Sequence, residues 1–164
     1  MRHSTNENVI FARTQQKVFR MRGEAIHLIT RLESLLEIIL ITSFIKPDYQ
    51  NKFYEILMWE DFHLSTKVKL FEKIDLPEEF QAKQKQIVRT LQNKLLPTRN
   101  KYAHRAAIIS VWADVVVTSM VEKGHKIVPI TDKEFKQFRK ECKHVERMLQ
   151  EVFTGLKEVY SEGS

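Results

Sequence analysis

The chain has 164 residues, 43% apolar and 29% charged, with 4 Gly and 4 Pro, which predicts one globular domain and excludes collagenous, linker-rich and low-complexity classes. The single cysteine, Cys142, excludes an intramolecular disulfide framework and a cysteine-based zinc cluster and suits a reducing, cytoplasmic setting. The formal net charge is +6, the N-terminal residues hold no apolar signal core, and the longest apolar run, Ile38 to Ile41, is too short to span a bilayer, so a membrane partner is not expected.

Residues 1–8 are polar, and 1–14 read as a loose leader, with a single domain over 15–160. From Gln15 to Phe44, Val18, Met21, Ala25, Leu28, Leu32, Leu35 and Ile39 recur every three or four residues, which is the spacing of an amphipathic helix. Glu33 and Glu37 lie one turn apart on another face. Lys46-Pro47-Asp48 ends this helix, and Asn51 to Phe62 reads as a short one burying Phe53, Ile56, Leu57 and Trp59. Ser65 predicts the N-cap of a helix over Lys67 to Ile74. A wetter helix follows from Glu78 to Leu96, with a thin apolar line of Phe80, Ile87, Leu91 and Leu95. Pro97 is expected to break it, and Thr98 to cap a new segment beginning at Arg99, where free amides and the helix dipole favour an anion.

Beyond Arg105 the sequence is rich in β-branched residues, and about 114–130 predicts a β-hairpin whose second strand, carrying Pro129, lies on an edge. For 106–122, strand and a continuation of the preceding helix both remain open. Thr131-Asp132-Lys133-Glu134 is a capping box that opens the last helix. Its stripe of Phe135, Phe138, Cys142, Val145, Leu149, Val152 and Leu156 has unbroken three-four spacing, and Cys142 falls inside it as a structural thiol.

The charge is unevenly placed. No Asp or Glu occurs from Phe80 to Ala113, while that span carries Lys83, Lys85, Arg89, Lys94, Arg99, Lys101 and Arg105. Such a block suits a polyanion, because each neutralised phosphate releases counterions. Within it, Arg99 and His104 bring together the two residue types that cutting RNA without a metal requires. Arginine matches two phosphate oxygens and keeps its charge, and histidine transfers protons near neutral pH. Five positions turn two helical side chains about 140° apart, so Arg99 must reach around or a second subunit must complete the site. Asn100 shares the face of His104, and Tyr102 could stack on a base or belong to the core. Lys94, Lys101, Arg105, Arg89, Lys83 and Lys85 are the candidate RNA-positioning cations. His3, His27, His63, His125 and His144 have no metal-ligand spacing, and neither a metal nor a cofactor is expected.

The run Arg99-Asn100-Lys101-Tyr102-Ala103-His104, between a helical region and a hairpin with a final amphipathic helix, resembles the HEPN superfamily. Its signature is Arg, four to six residues, His, often with Asn directly after the Arg. The Leu- and Glu-rich first helix and Ser65-Thr66-Lys67-Val68-Lys69-Leu70 also look like the mannitol-repressor-like and abortive-infection branches. The resemblance implies a mainly α helical bundle that forms a homodimer with two motifs facing across a cleft. It also implies a metal-independent endoribonuclease of a toxin–antitoxin, phage-defence or stress context, with an antitoxin or regulatory protein as a possible further partner. By the same resemblance Arg99 and His104 would be catalytic, Asn100 supporting, and Glu33 or Glu37 the acidic residue that an early helix sometimes contributes. The alternative is a non-catalytic module of the same kind that binds nucleic acid, nucleotide or a partner protein. The sequence names neither the RNA nor its trigger.

Overall fold

The computed structural model describes the backbone of residues 3–44, 49–57, 63–104, 107–112, 115–121, 127–129 and 131–162, and the side chains at 9, 12–44, 49–56, 63–103 and 131–158. It is mainly α-helical. The described residues form six α-helices: α1 His3–Phe44, α2 Gln50–Leu57, α3 Leu64–Lys73, α4 Glu78–Thr90, α5 Leu96–His104 and α6 Asp132–Glu162. Helix α1 begins at His3, so the segment expected as a loose leader forms its first turns. Polar composition alone does not stop a helix; neither Gly nor Pro occurs before Gly23, and propagation is easy once a helix is nucleated.

The core is built on α1 and α6. Val18, Met21, Ala25, Ile29, Leu32, Leu36, Ile39 and Leu40 of α1 are buried, as is the whole predicted α6 stripe from Phe135 to Leu156. Three ion pairs fix how these helices run: Lys17–Asp132 at 2.6 Å, Glu24–Arg139 and Arg31–Glu146. Each joins residues 115 positions apart. The partners advance together, one heptad at a time, so α1 and α6 pack parallel with charged pairs flanking an apolar seam, as in a two-stranded coiled coil. Of the capping box, the N-cap half forms: the Glu134 amide donates to Thr131 Oγ1 at 3.2 Å, while the Glu134 carboxylate faces Lys101.

Helices α3 and α4 close the remaining side of α1. Val68 and Phe71 of α3 and Phe80, Ile87 and Val88 of α4 enter the core. Gln84 is buried between the two helices, its Nε2 donating to the carbonyls of Phe71 at 2.6 Å and Ile74 at 2.9 Å, which satisfies the C-terminal end of α3. Ser65 is not the cap of α3: His63 holds that position without a side-chain bond, and Ser65 lies in the first turn. In α2, Phe53 is half-buried while Ile56 is exposed, contrary to expectation. The side chains of Leu57 and Trp59 lie outside the described residues.

Pro97 does not break the chain. A single π-helical turn, Leu91–Leu95, joins α4 to α5, and the Leu96 amide donates to the Leu91 carbonyl five residues back. A proline ring collides with the carbonyl four residues before it, and widening the turn by one residue relieves that collision. Thr98 accordingly sits inside α5 rather than capping it. Arg99 to His104 therefore forms the last turns of a helix, not the first.

The described residues after α5, 107–112 and 115–121, are extended, which favours strand over a continued helix there. Strands β1 Ala107–Trp112, β2 Val115–Val121 and β3 Ile127–Pro129 form an antiparallel sheet in the order β1-β2-β3, with Ala107 opposite Met120 and Ser119 opposite Pro129. The expected hairpin is β2–β3, Pro129 lies on its edge strand, and β1 adds a third strand. Strands β1 and β2 lie beside α1.

Candidate functional site

Helix α5 divides its residues between two grooves. Leu96, Arg99 and Asn100, spaced as one helical face, look toward α1 and the start of α3. There they enclose a cleft of about 370 Å³ with Ile26, Ile29, Thr30 and Glu33 of α1 and His63, Leu64 and Ser65. Pro97, Thr98, Lys101 and Tyr102 look the other way, into a groove of about 540 Å³ against α6.

The cleft holds an arginine, a histidine, a carboxylate and the polar side chains of Asn100, Ser65 and Thr30. Arg99 Nη1 donates to Asn100 Oδ1 at 3.1 Å, which steadies the guanidinium. Glu33 is held from behind: buried Lys67 donates to Glu33 Oε1 at 2.7 Å and to Glu37 Oε1 at 2.5 Å. Burial by itself lowers the Lys67 pKa, but the two bonds and the two negative charges outweigh it, and the net direction is upward. Lys67 is therefore a fixed cation, with Glu37 in the core beside it and Glu33 at the cleft wall. The expectation that Glu33 or Glu37 stands near the motif divides cleanly. Glu33 lines the same cleft as Arg99; Glu37 supports Lys67.

His104 is the last residue of α5, one turn after Asn100. Its side chain and all of Arg105 lie outside the described residues. Tyr102 belongs to the core: it is 1% exposed and packs edge-on against Phe135, with ring centroids 5.2 Å apart, and against Phe138. Burial, then the charges of Glu134 and Asp132, push its pKa up to about 12. It cannot stack on a base from there, nor exchange a proton near neutrality. Cys142 is also buried, and burial raises its thiol to about 12, so it is not a nucleophile.

The acid-free segment is not an acid-free surface. Helix α6 supplies the missing carboxylates, pairing Lys83 with Glu151 at 2.7 Å, Lys94 with Glu141 at 3.1 Å and Lys101 with Glu134 at 3.5 Å. Lys85 and Arg89 remain exposed and make no ion pair among the described residues; they line a separate groove with Gln92 and Asn93. Of the seven cations, Arg99 alone among the described residues lines the cleft of Glu33 and His63.

Sequence reasoning missed His63, Ser65 and Thr30. Ser65 reads as a cap in the sequence, and nothing in the spacing of His63 ties it to Arg99; only the packing of both α3 and α5 on α1 does. No three or more His, Cys, Asp or Glu gather as a metal site among the described residues, and no described helix is long and apolar enough to cross a membrane. Comparison of the chain with protein-family models, curated proteins and solved structures gives no match.

Proposed function

We propose that this chain is a metal-independent endoribonuclease of the HEPN type, working in the cytoplasm as a homodimer within a toxin–antitoxin or phage-defence context. The observation that carries the reading is the cleft in which Arg99 and Asn100 stand together with Glu33 and His63. A guanidinium in a polar cleft of this size suits the phosphodiester of one nucleotide step. In the reaction the ribose 2′-oxygen attacks phosphorus and the bond to the 5′-oxygen breaks, leaving a 2′,3′-cyclic phosphate and a 5′-hydroxyl. Arg99 stabilises the negative charge that builds on the phosphate oxygens, Asn100 holds the guanidinium, and His104 takes the 2′-hydroxyl proton. Purified protein and its Arg99→Ala and His104→Ala variants should be assayed on bulk RNA in EDTA. Wild type is expected to cut, with both variants reduced roughly hundred-fold or more. Equal cleavage by all three would refute the assignment.

A binding or regulatory module is the second reading. It is favoured by the exposed apolar side chains of Phe44, Tyr49, Tyr54 and Ile56 around the end of α1 and on α2, which suit a partner protein. It predicts no cleavage, and capture of a protein or nucleic acid that Arg99→Ala leaves intact.

A further inference from the structure

Transfer of the phosphoryl group to the 2′-oxygen needs two proton transfers, and the HEPN-type motif provides one imidazole per chain. In a symmetric dimer the second would come from the partner copy. The cleft offers another source. His63, at the N-terminal boundary of α3, lines the same cavity as Arg99 and is exposed; its carbonyl accepts from the Thr66 and Lys67 amides, while its imidazole makes no hydrogen bond among the described residues. The one carboxylate among the described cleft residues, Glu33, already accepts a bond from the Lys67 ammonium. An ionised carboxylate accepts protons and hydrogen bonds but donates none. Arg99 does not release its proton. Of the described groups lining the cleft, His63 is the one imidazole, the side chain most often used as a general acid.

We propose that His63 is the general acid of the site, so that one protomer carries both imidazoles. The proposal rests on the ribonuclease reading above. The 2′-oxygen–phosphorus bond forms as its proton passes to His104. The phosphorus–5′-oxygen bond breaks as the His63 imidazolium gives its proton to the departing oxygen. Each imidazole then exchanges a proton with water, and the protein is restored.

The test compares two substrates in EDTA: a ribodinucleotide, whose alkoxide leaving group needs a proton, and uridine 3′-(4-nitrophenyl phosphate), whose phenolate leaves without one. His63→Ala and His63→Asn are expected to cut the dinucleotide roughly hundred-fold more slowly. On the nitrophenyl ester both should stay within a few-fold of wild type, while Arg99→Ala is slow on both substrates. His63 is exposed, so a folding defect is not expected, and circular dichroism checks it. An equal loss on the two substrates, or no loss on either, overturns the role of His63 and leaves the ribonuclease reading standing. If wild type cuts neither substrate, both fall together.

Discussion

Replacing Lys67 with methionine probes the polar cluster behind the cleft. Lys67 is 4% exposed and Glu37 2%, with both carboxylates bonded to the one ammonium at 2.7 and 2.5 Å. Methionine fills a similar volume, so the loss comes from stranding two carboxylates one helical turn apart with no cation between them. Removing one partner of a buried ion pair costs about 3–5 kcal/mol, a large part of the roughly 5–15 kcal/mol that holds a domain folded. Urea denaturation at pH 7 should show a loss of that size. The double variant Lys67→Met, Glu37→Leu should recover most of it, because the deeper charge is gone. The pH dependence has a definite sign. The Lys67 pKa is raised in the folded state, so its contribution is fully present below the unfolded lysine value of about 10.4 and is lost only as pH rises through the higher folded value. Wild-type stability should therefore show no pH dependence from this group between pH 6 and 9, where its contribution is fully present. A loss below about 1 kcal/mol for Lys67→Met would refute the account, since it would mean that the carboxylates find water or another donor.

Gly155→Ala should destabilise by about 1–3 kcal/mol in thermal or urea unfolding, because a Cβ there would stand 2.1 Å from Phe80 Cζ and the ring must move. Tyr102→Phe should leave stability unchanged or slightly higher and cleavage within two-fold, since its hydroxyl is buried with no partner among the described residues. A ten-fold loss of activity would instead place that hydroxyl in the reaction. In RNA-binding titrations over salt concentration, Lys85→Ala and Arg89→Ala should each lower the log–log slope by about 0.7. Lys94→Ala and Lys101→Ala, whose charges already face Glu141 and Glu134, should change it less.

The parts of the fold that were legible in the sequence are those set by local rules. The α6 stripe and its N-cap at Thr131 needed only three-four spacing and the Thr131–Glu134 pair, and both stand as read, though the Glu134 carboxylate turns to Lys101 instead of back to the cap. Glu33 and Glu37 were visibly one turn apart. What they do was not visible, because Lys67 reaches them from another helix. The acid-free span shows the same limit more sharply. Counting charges along Phe80 to Ala113 gave a cationic face, but charge acts through space, and the antiparallel run of α6 lays Glu151, Glu141 and Glu134 against Lys83, Lys94 and Lys101. The parallel register of α1 and α6 was hidden for the same reason. Each helix shows its apolar stripe alone, but the pairing of Lys17, Glu24 and Arg31 with partners 115 positions on exists only once the helices meet.

Pro97 is where a sound local rule led furthest from the molecule, and the consequence reaches the site. A helix broken at Pro97 would have put Arg99 at a new N-terminus, where free amides and the positive end of the dipole attract phosphate. The π turn at Leu91–Leu95 keeps the chain helical through the proline, so Arg99 to His104 stands at the C-terminal end instead. That end carries free carbonyls and a partial negative charge, which favours cations and opposes an anion. On the proposed ribonuclease reading, phosphate is then held by side chains. The same turn sets the rotation of α5, directing Arg99 and Asn100 to the cleft with Glu33 and His63 while Lys101 and Tyr102 face α6. A motif that reads as one contiguous run is thus split into a cleft half and a structural half. The partners that the cleft half needs come from α1 and from the start of α3, far away in sequence.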